Sequence, residues 1–243
     1  MKQFCLIFTI IINISAFINA QSDSFDHSIF DKLLRENVND MGFVNYQAFK
    51  KNKLFDDYTN KISTADLSKL GKSEKLAFLI NAYNALTIKN VLNNLPIDSP
   101  MDVEGFFKGK KFTVGGIELT LDELEYKHIL PMDKVLPHFG LVCAAVSCPK
   151  LIREAYNGKT VFTLLEENAK AFLNDNNKNR LDRESKTLYL SEIFKWFRKS
   201  FEEKYGSLLE TTKNFINSNG KNFLDKNEVE IKFIPYDWQL NSQ

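Results

Sequence analysis

The sequence predicts an α+β fold: a single globular domain, mostly helical, with a small, largely antiparallel sheet and a buried central helix at about 73–94. Three observations carry this expectation. Segments with apolar residues at helical spacing outnumber short alternating ones. The stretch 73–94 is apolar nearly all the way round, with Leu76, Phe78, Leu79, Ile80, Tyr83, Leu86, Ile88 and Val91, and such a helix belongs inside a core. Residues 112–119 set two alternating runs on either side of Gly115-Gly116, where glycine tolerates the positive φ of a tight antiparallel hairpin.

The remaining elements follow from local signals. Phe30, Leu33, Leu34 and Val38 mark a first helix, and 43–46 a short extended piece. Ser73 is a cap for the long helix, which stops before Leu95-Pro96. Thr120 and Glu123 form a capping box opening a helix that ends before Pro131. Residues 138–146 read as a buried strand, and Pro149 opens a helix that Gly158 closes. A helix at 160–174, a polar loop at 174–180 and an extended run at 187–190 come next. Ser191 caps an aromatic helix with Phe194, Trp196, Phe197 and Phe201. Ser207 and Glu210 repeat the capping box for a helix ending near Gly220, and Val229, Ile231 and Phe233 alternate as a last strand. No internal repeat or Pro/Gly/Ser linker divides 21–243, so these elements form one domain.

Residues 1–20 read as a secretory signal: Lys2, an apolar run over 4–17, and Ala20 just before Gln21. That run is too short for a bilayer span of about 20 residues, so the chain is expected to be exported, periplasmic or extracellular, with no membrane span after the signal. Lys plus Arg number 32 against 31 Asp plus Glu. This balance argues against nucleic acid as a partner, because such binders work by phosphate neutralisation.

Several residue groups could carry chemistry. Asn81, Asn84 and Thr87 lie three apart on the apolar central helix, and a buried amide is costly unless hydrogen-bonded. They either tie down loop backbone or orient a catalytic group. Cys148 precedes Pro149; at a helix N-cap its thiolate would be favoured. A straight strand over 138–146 would hold His138 roughly 25 Å from Cys148, so His128, three residues after Glu125 on the preceding helix, competes as base. Glu125 and His128 supply at most two metal ligands, and 175–186 lacks the glycine and acid of a calcium loop, so no metal or cofactor is expected. His27 is expected on the surface. Cys143 and Cys148 remain after removal of the signal, which takes Cys5, and a turn through 145–147 would let them pair.

These motifs together resemble the family catalogued as domain of unknown function 547. The residues that carry the resemblance are 76–87, with both asparagines, 119–125, 138–143 and 147–149, with later blocks at 190–196 and 236–241. The family pattern implies a histidine directly after Glu125 and arginines at position 131 and before His138; here Tyr126 and Pro131 stand at the first two, and the third is absent.

The functions that follow are three. An exported thiol-dependent hydrolase or acyltransferase would use Cys148 as nucleophile, His138 or His128 as base, and Asn81 or Asn84 as orienting or oxyanion group. A non-enzymatic module of the cell envelope would bind a small-molecule or peptide ligand. A redox pair would join Cys143 and Cys148.

Overall fold

The computed structural model describes residues 24–243, so the expected signal at 1–20 lies outside the described residues. Helices α1 (Ser28–Asn37), α2 (Tyr46–Lys51) and α3 (Lys53–Ser63) pack ahead of the central helix α4 (Lys72–Asn94). A hairpin of β1 (Phe112–Val114) and β2 (Ile117–Leu119) leads into α5 (Leu121–Glu123), which continues as a π-helical turn, Leu124–Ile129. After a short 3-10 turn, Leu136–Phe139, the chain runs without regular structure to α6 (Val161–Leu173). Strands β3 (Arg180–Asp182) and β4 (Thr187–Ser191) precede α7 (Glu192–Trp196), α8 (Arg198–Tyr205), α9 (Leu208–Phe215), α10 (Ser218–Leu224) and β5 (Glu230–Ile234). The α+β architecture and the buried central helix stand as the sequence implies.

The sheets are two. β1 and β2 pair antiparallel through Gly115 and Gly116, at φ 57° and 80°, the left-handed conformations the paired glycines were expected to supply. β4 sits between antiparallel β3 and parallel β5, so the second sheet is mixed.

Helix α4 buries Leu76 through Ile88 without a break and packs against α2, α3, α5 and α6. Its start differs from the expectation: Gly71, in extended geometry, precedes Lys72, and no side chain caps it. Glu74 in its first turn instead accepts the N–H groups of Gly158 (2.6 Å) and Phe25 (3.2 Å). The helix ends before Leu95, which is held extended by Pro96. The Thr120/Glu123 capping box forms in both directions. The helix expected to run to Gly220 breaks at Ile216, because Asn217 caps a new one by accepting the Gly220 N–H.

The largest departure is at residues 138–158. The expected strand and the expected helix after Pro149 are both absent. Buried backbone without a ladder must find other partners, and here side-chain amides provide them. Asn84 donates to the Gly140 carbonyl (2.9 Å) and accepts from the Val142 N–H (2.9 Å). Asn81 does the same with the Tyr156 carbonyl (2.8 Å) and N–H (3.0 Å). Asn168 on α6 donates to the Phe139 carbonyl. Residues 237–241 complete the pairing: Val146 donates to Gln239 and Ser147 to Asp237, while Asn241 donates back to Ala144. A long buried apolar run signals burial rather than extension, which is why the sequence suggested a strand. Gly140 is required by space, since a Cβ there would collide with Leu165 and the Tyr156 hydroxyl.

His27 also departs from expectation. It is buried, with Nδ1 2.7 Å from the Tyr58 hydroxyl and its ring against Phe25, and burial lowers its pKa to about 4. Among the described residues no helix is long and apolar enough to cross a membrane.

If the amide clamp holds 138–158 in place, Asn84→Ala leaves a buried carbonyl and a buried N–H unpaired. At roughly 1–3 kcal/mol per orphaned group, the expected loss is about 2–5 kcal/mol. Exposed Asn214 also donates to backbone, and Asn214→Ala should change stability by under about 0.5 kcal/mol. Urea unfolding of the two variants checks the difference.

Candidate functional site

A cavity of about 210 Å³ opens between α4, the π-helical turn, α7 and the C-terminal segment. Glu125, His138, Cys143 and Cys148 all line it, and so do Tyr83, Tyr236, Trp196 and Trp238. A wider cleft of about 700 Å³, beside Gln47, Lys50 and Leu95–Asp98, gathers none of the residues singled out in the sequence.

Cys143 and Cys148 are joined as a disulfide, with Cα atoms 6.3 Å apart. The reversal that brings them together passes through Ala144, whose φ of 64° lies in the left-handed region that non-glycine residues seldom adopt. Pairing with the C-terminal segment holds it there, through the Ala144 carbonyl and the Ala145–Leu240 bridge. Cys148 is buried and Cys143 half-buried. The Cys148 sulfur accepts from the Cys143 N–H (2.9 Å) and from the Tyr236 hydroxyl (3.2 Å). The same hydroxyl lies 3.2 Å from the Cys143 sulfur. No helix begins at Pro149, so the helix N-terminus expected beside Cys148 is absent, and the polar contacts of its sulfur are these two donors.

Glu125 is held largely out of water. Burial first, and the nearby Asp122 carboxylate second, raise its pKa to about 7, against a hydrogen bond with Tyr83 that lowers it. Its spacing to His128 suggested a shared face, but this is a π-helical turn, where Leu130 donates to the Glu125 carbonyl (2.9 Å). The i to i+5 bonding widens the turn and rotates successive side chains off the α-helical register. Glu125 therefore lines the cavity and His128 does not.

His138 reaches the cavity by bending rather than by extension, since residues 136–139 form a 3-10 turn instead of a strand. Its ring stacks on Phe197, with centroids 3.8 Å apart, and burial lowers its pKa to about 4. Nε2 is buried without a hydrogen-bond partner, and the ring's other polar contact is backbone at Lys134. No hydrogen bond joins the imidazole to either sulfur among the described residues. Asn81 and Asn84 do not line the cavity; each amide is engaged by backbone on both its oxygen and its nitrogen. Theirs is the architectural role, one shell away from the site they shape.

The aromatic wall was only partly visible in sequence. Trp196 ends the short aromatic helix that Ser191 caps. It stacks on Trp238 (5.9 Å) and packs on Tyr236 (4.8 Å), which come from the far end of the chain. The signal that could have found the wall is the Tyr236-x-Trp238 spacing, which puts both rings on one side of an extended segment. Among the described residues no group of three or more His, Cys, Asp and Glu side chains is placed to hold a metal ion.

The Glu125 environment has a thermodynamic signature. The folded protein holds this proton up to about pH 7, whereas a free glutamate releases it near 4.5. In that window the folded state binds more protons than the unfolded one, so the group's contribution to stability falls as pH rises. Glu125→Gln should therefore stabilise the fold by up to about 3 kcal/mol at pH 8 and by almost nothing near pH 4. Urea unfolding of both proteins across that pH range measures it.

No curated protein and no solved structure matches the chain. Residues 67–173 match the family model described as "Protein of unknown function, DUF547". The later blocks at 190–196 and 236–241 fall outside the matched residues. Over the matched stretch, which carries the central helix, both clamping asparagines, Glu125, His138 and both cysteines, the chain resembles the DUF547 family.

Proposed function

We propose that this chain is an exported thiol–disulfide domain working at the Cys143–Cys148 pair. The observation that carries the reading is the pair of donors on one sulfur: the Cys143 N–H and the Tyr236 hydroxyl both point at Cys148 Sγ. A thiolate is stabilised by such donors, so Cys148 is suited to leave and to return. Cys143, the more exposed of the two, is the sulfur open to attack.

In the forward step a thiolate of a partner dithiol attacks Cys143 Sγ. A mixed disulfide forms, the Cys143–Cys148 bond breaks, and Cys148 departs as a thiolate. The partner's second thiolate then attacks its own sulfur in the mixed disulfide and releases Cys143. The partner leaves as a disulfide, and this chain as a dithiol that takes up two protons. Glu125, half-protonated near neutral pH, is a proton donor in the same cavity. Export fits this reading, because disulfides persist outside the cytoplasm.

A second reading rests on a separate observation: His138, whose Nε2 is buried without a hydrogen-bond partner, is among the residues lining the cavity that holds Cys148. In the reduced chain Cys148 would then act as nucleophile in a hydrolase or acyltransferase. Its thiol would have to turn toward that imidazole.

Residue-resolved alkylation against pH, on freshly reduced protein, tests both. Cys148 is expected to ionise well below about 8.5, the ordinary thiol value, and Tyr236→Phe to raise it by about one unit. Ordinary titration of both cysteines in the parent chain overturns the exchange reading. Turnover of an activated ester by reduced protein, abolished by Cys148→Ser, would favour the hydrolase instead.

A further inference from the structure

The cavity has a second chemistry that thiol exchange does not use. Its wall is aromatic: Tyr83, Phe107, Trp196, Tyr236 and Trp238. Trp196 is 46% exposed, a large apolar surface to leave in water. Aromatic faces carry negative electrostatic potential and attract cations. The protein's own Lys and Arg heads lie over Phe112, Phe172, Tyr189, Phe223, Phe233 and Tyr205. Among the described residues none lies over a ring of this wall.

The polar groups facing the cavity agree with the wall. Glu125 has no Lys, Arg or His within ion-pair distance among the described residues. Lys108 is the one cation lining the space, and it is drawn to Asp122 at 3.9 Å. His138 presents Nε2 buried and without a partner. With the ring's proton held at the Lys134 backbone, that nitrogen is a lone pair, able to accept and not to donate. Carboxylate and π faces therefore converge on a space with no positive charge of its own over the rings, and His138 borders it. Tyrosine hydroxyls supply donors there but no charge, and an ionised Glu125 in this space is unfavourable unless something brings a positive partner.

We propose that this cavity is a binding site for an organic cation bearing N–H donors, an alkylammonium or alkylguanidinium group. Its charge meets Glu125, and its alkyl stem lies against Trp196 and Trp238. The cavity's volume, about 210 Å³, suits a group the size of a lysine or arginine side chain. The site does not depend on the disulfide exchanging; if exchange does occur there, the partner's thiol would be flanked by a basic residue.

Binding should be linked to protonation. The groups facing Glu125 are Asp122, Tyr83, Tyr126 and Tyr236, with Lys108 and His138 across the cavity. A cation stabilises the ionised carboxylate, so affinity rises from pH 6 to pH 8 while the alkylammonium stays charged.

The chain contains two tryptophans, Trp196 and Trp238, and both line this cavity, so intrinsic fluorescence reports on it directly. Oxidised protein is titrated with n-butylammonium and n-butylguanidinium, and with n-butanol and butyrate as neutral and anionic probes of similar size. The expected result is a saturable change with the two cations alone, weakened roughly tenfold by Glu125→Gln and stronger at pH 8 than at pH 6. Equal response to n-butanol, or no saturable response to either cation, overturns the proposal. The parent protein alone decides this, so a poorly folded Glu125→Gln variant would not rescue it. Because the disulfide stays closed throughout, a failure here leaves thiol exchange standing, and normal cysteine titration leaves cation binding standing.

Discussion

Two carboxamides on one buried helix hold the irregular segment that carries His138 and both cysteines to the cavity. Asn81 and Asn84 each present an oxygen and a nitrogen in the plane a neighbouring strand would offer, and the segment 138–158 pairs with them as if with a strand edge. Without that pairing the buried groups of Gly140, Val142 and Tyr156 would be stranded away from water. With it, a segment lacking helix or strand has its buried backbone groups paired. The irregular path then becomes an asset: it can bend at Gly140, place His138 beneath Phe197, and reverse at Ala144 to bring Cys143 and Cys148 together.

The electrostatics of the cavity follow from what is missing around its acid. A buried carboxyl is tolerated when a base lies against it or when it keeps its proton. Glu125 takes the second course, pressed first by loss of water and then by Asp122. Tyr83, buried, and Tyr236, half-buried, have pKa values pushed above the usual range by loss of water, stay neutral and serve as donors. The result is a small space that is uncharged at slightly acid pH and negative at slightly basic pH, walled by rings that favour the positive partner in the second case.

Much of this was legible in the sequence, and what was not has physical reasons. Periodicity located α4 and α6, glycine chemistry located the β1–β2 turn, and Thr120, Ser191 and Ser207 marked helix starts, because each is a local preference. Asn81 and Asn84 on α4 announced that something would meet them, but their partners lie 56 to 75 positions away, and no local rule reaches so far; the third residue of that row, Thr87, is buried with its hydroxyl unpartnered. The apolar run 138–146 misled for the same reason: its hydrogen bonds come from side chains and from the C-terminal segment, so its composition recorded burial and not conformation. Glu125 and His128 were separated by a π-helical turn, a one-residue insertion in phase that the Glu-x-x-His spacing hides. The cysteines could be recognised as a pair only conditionally: the turn through 145–147 is present, with Cys148 N–H donating to the Ala145 carbonyl, but it is joined by a left-handed Ala144, a residue with no preference for that conformation.

The cavity's parts are unevenly distributed along the chain. The clamp, the acid, the imidazole and the sulfur pair all fall within 67–173, the stretch matching the family model, whereas Trp196, Tyr236 and Trp238 come from beyond it. A frame and a facing are thus encoded apart. Exchanging the facing would redirect which guest is welcomed while the frame's wiring stayed untouched, so chains sharing the frame need not share a guest.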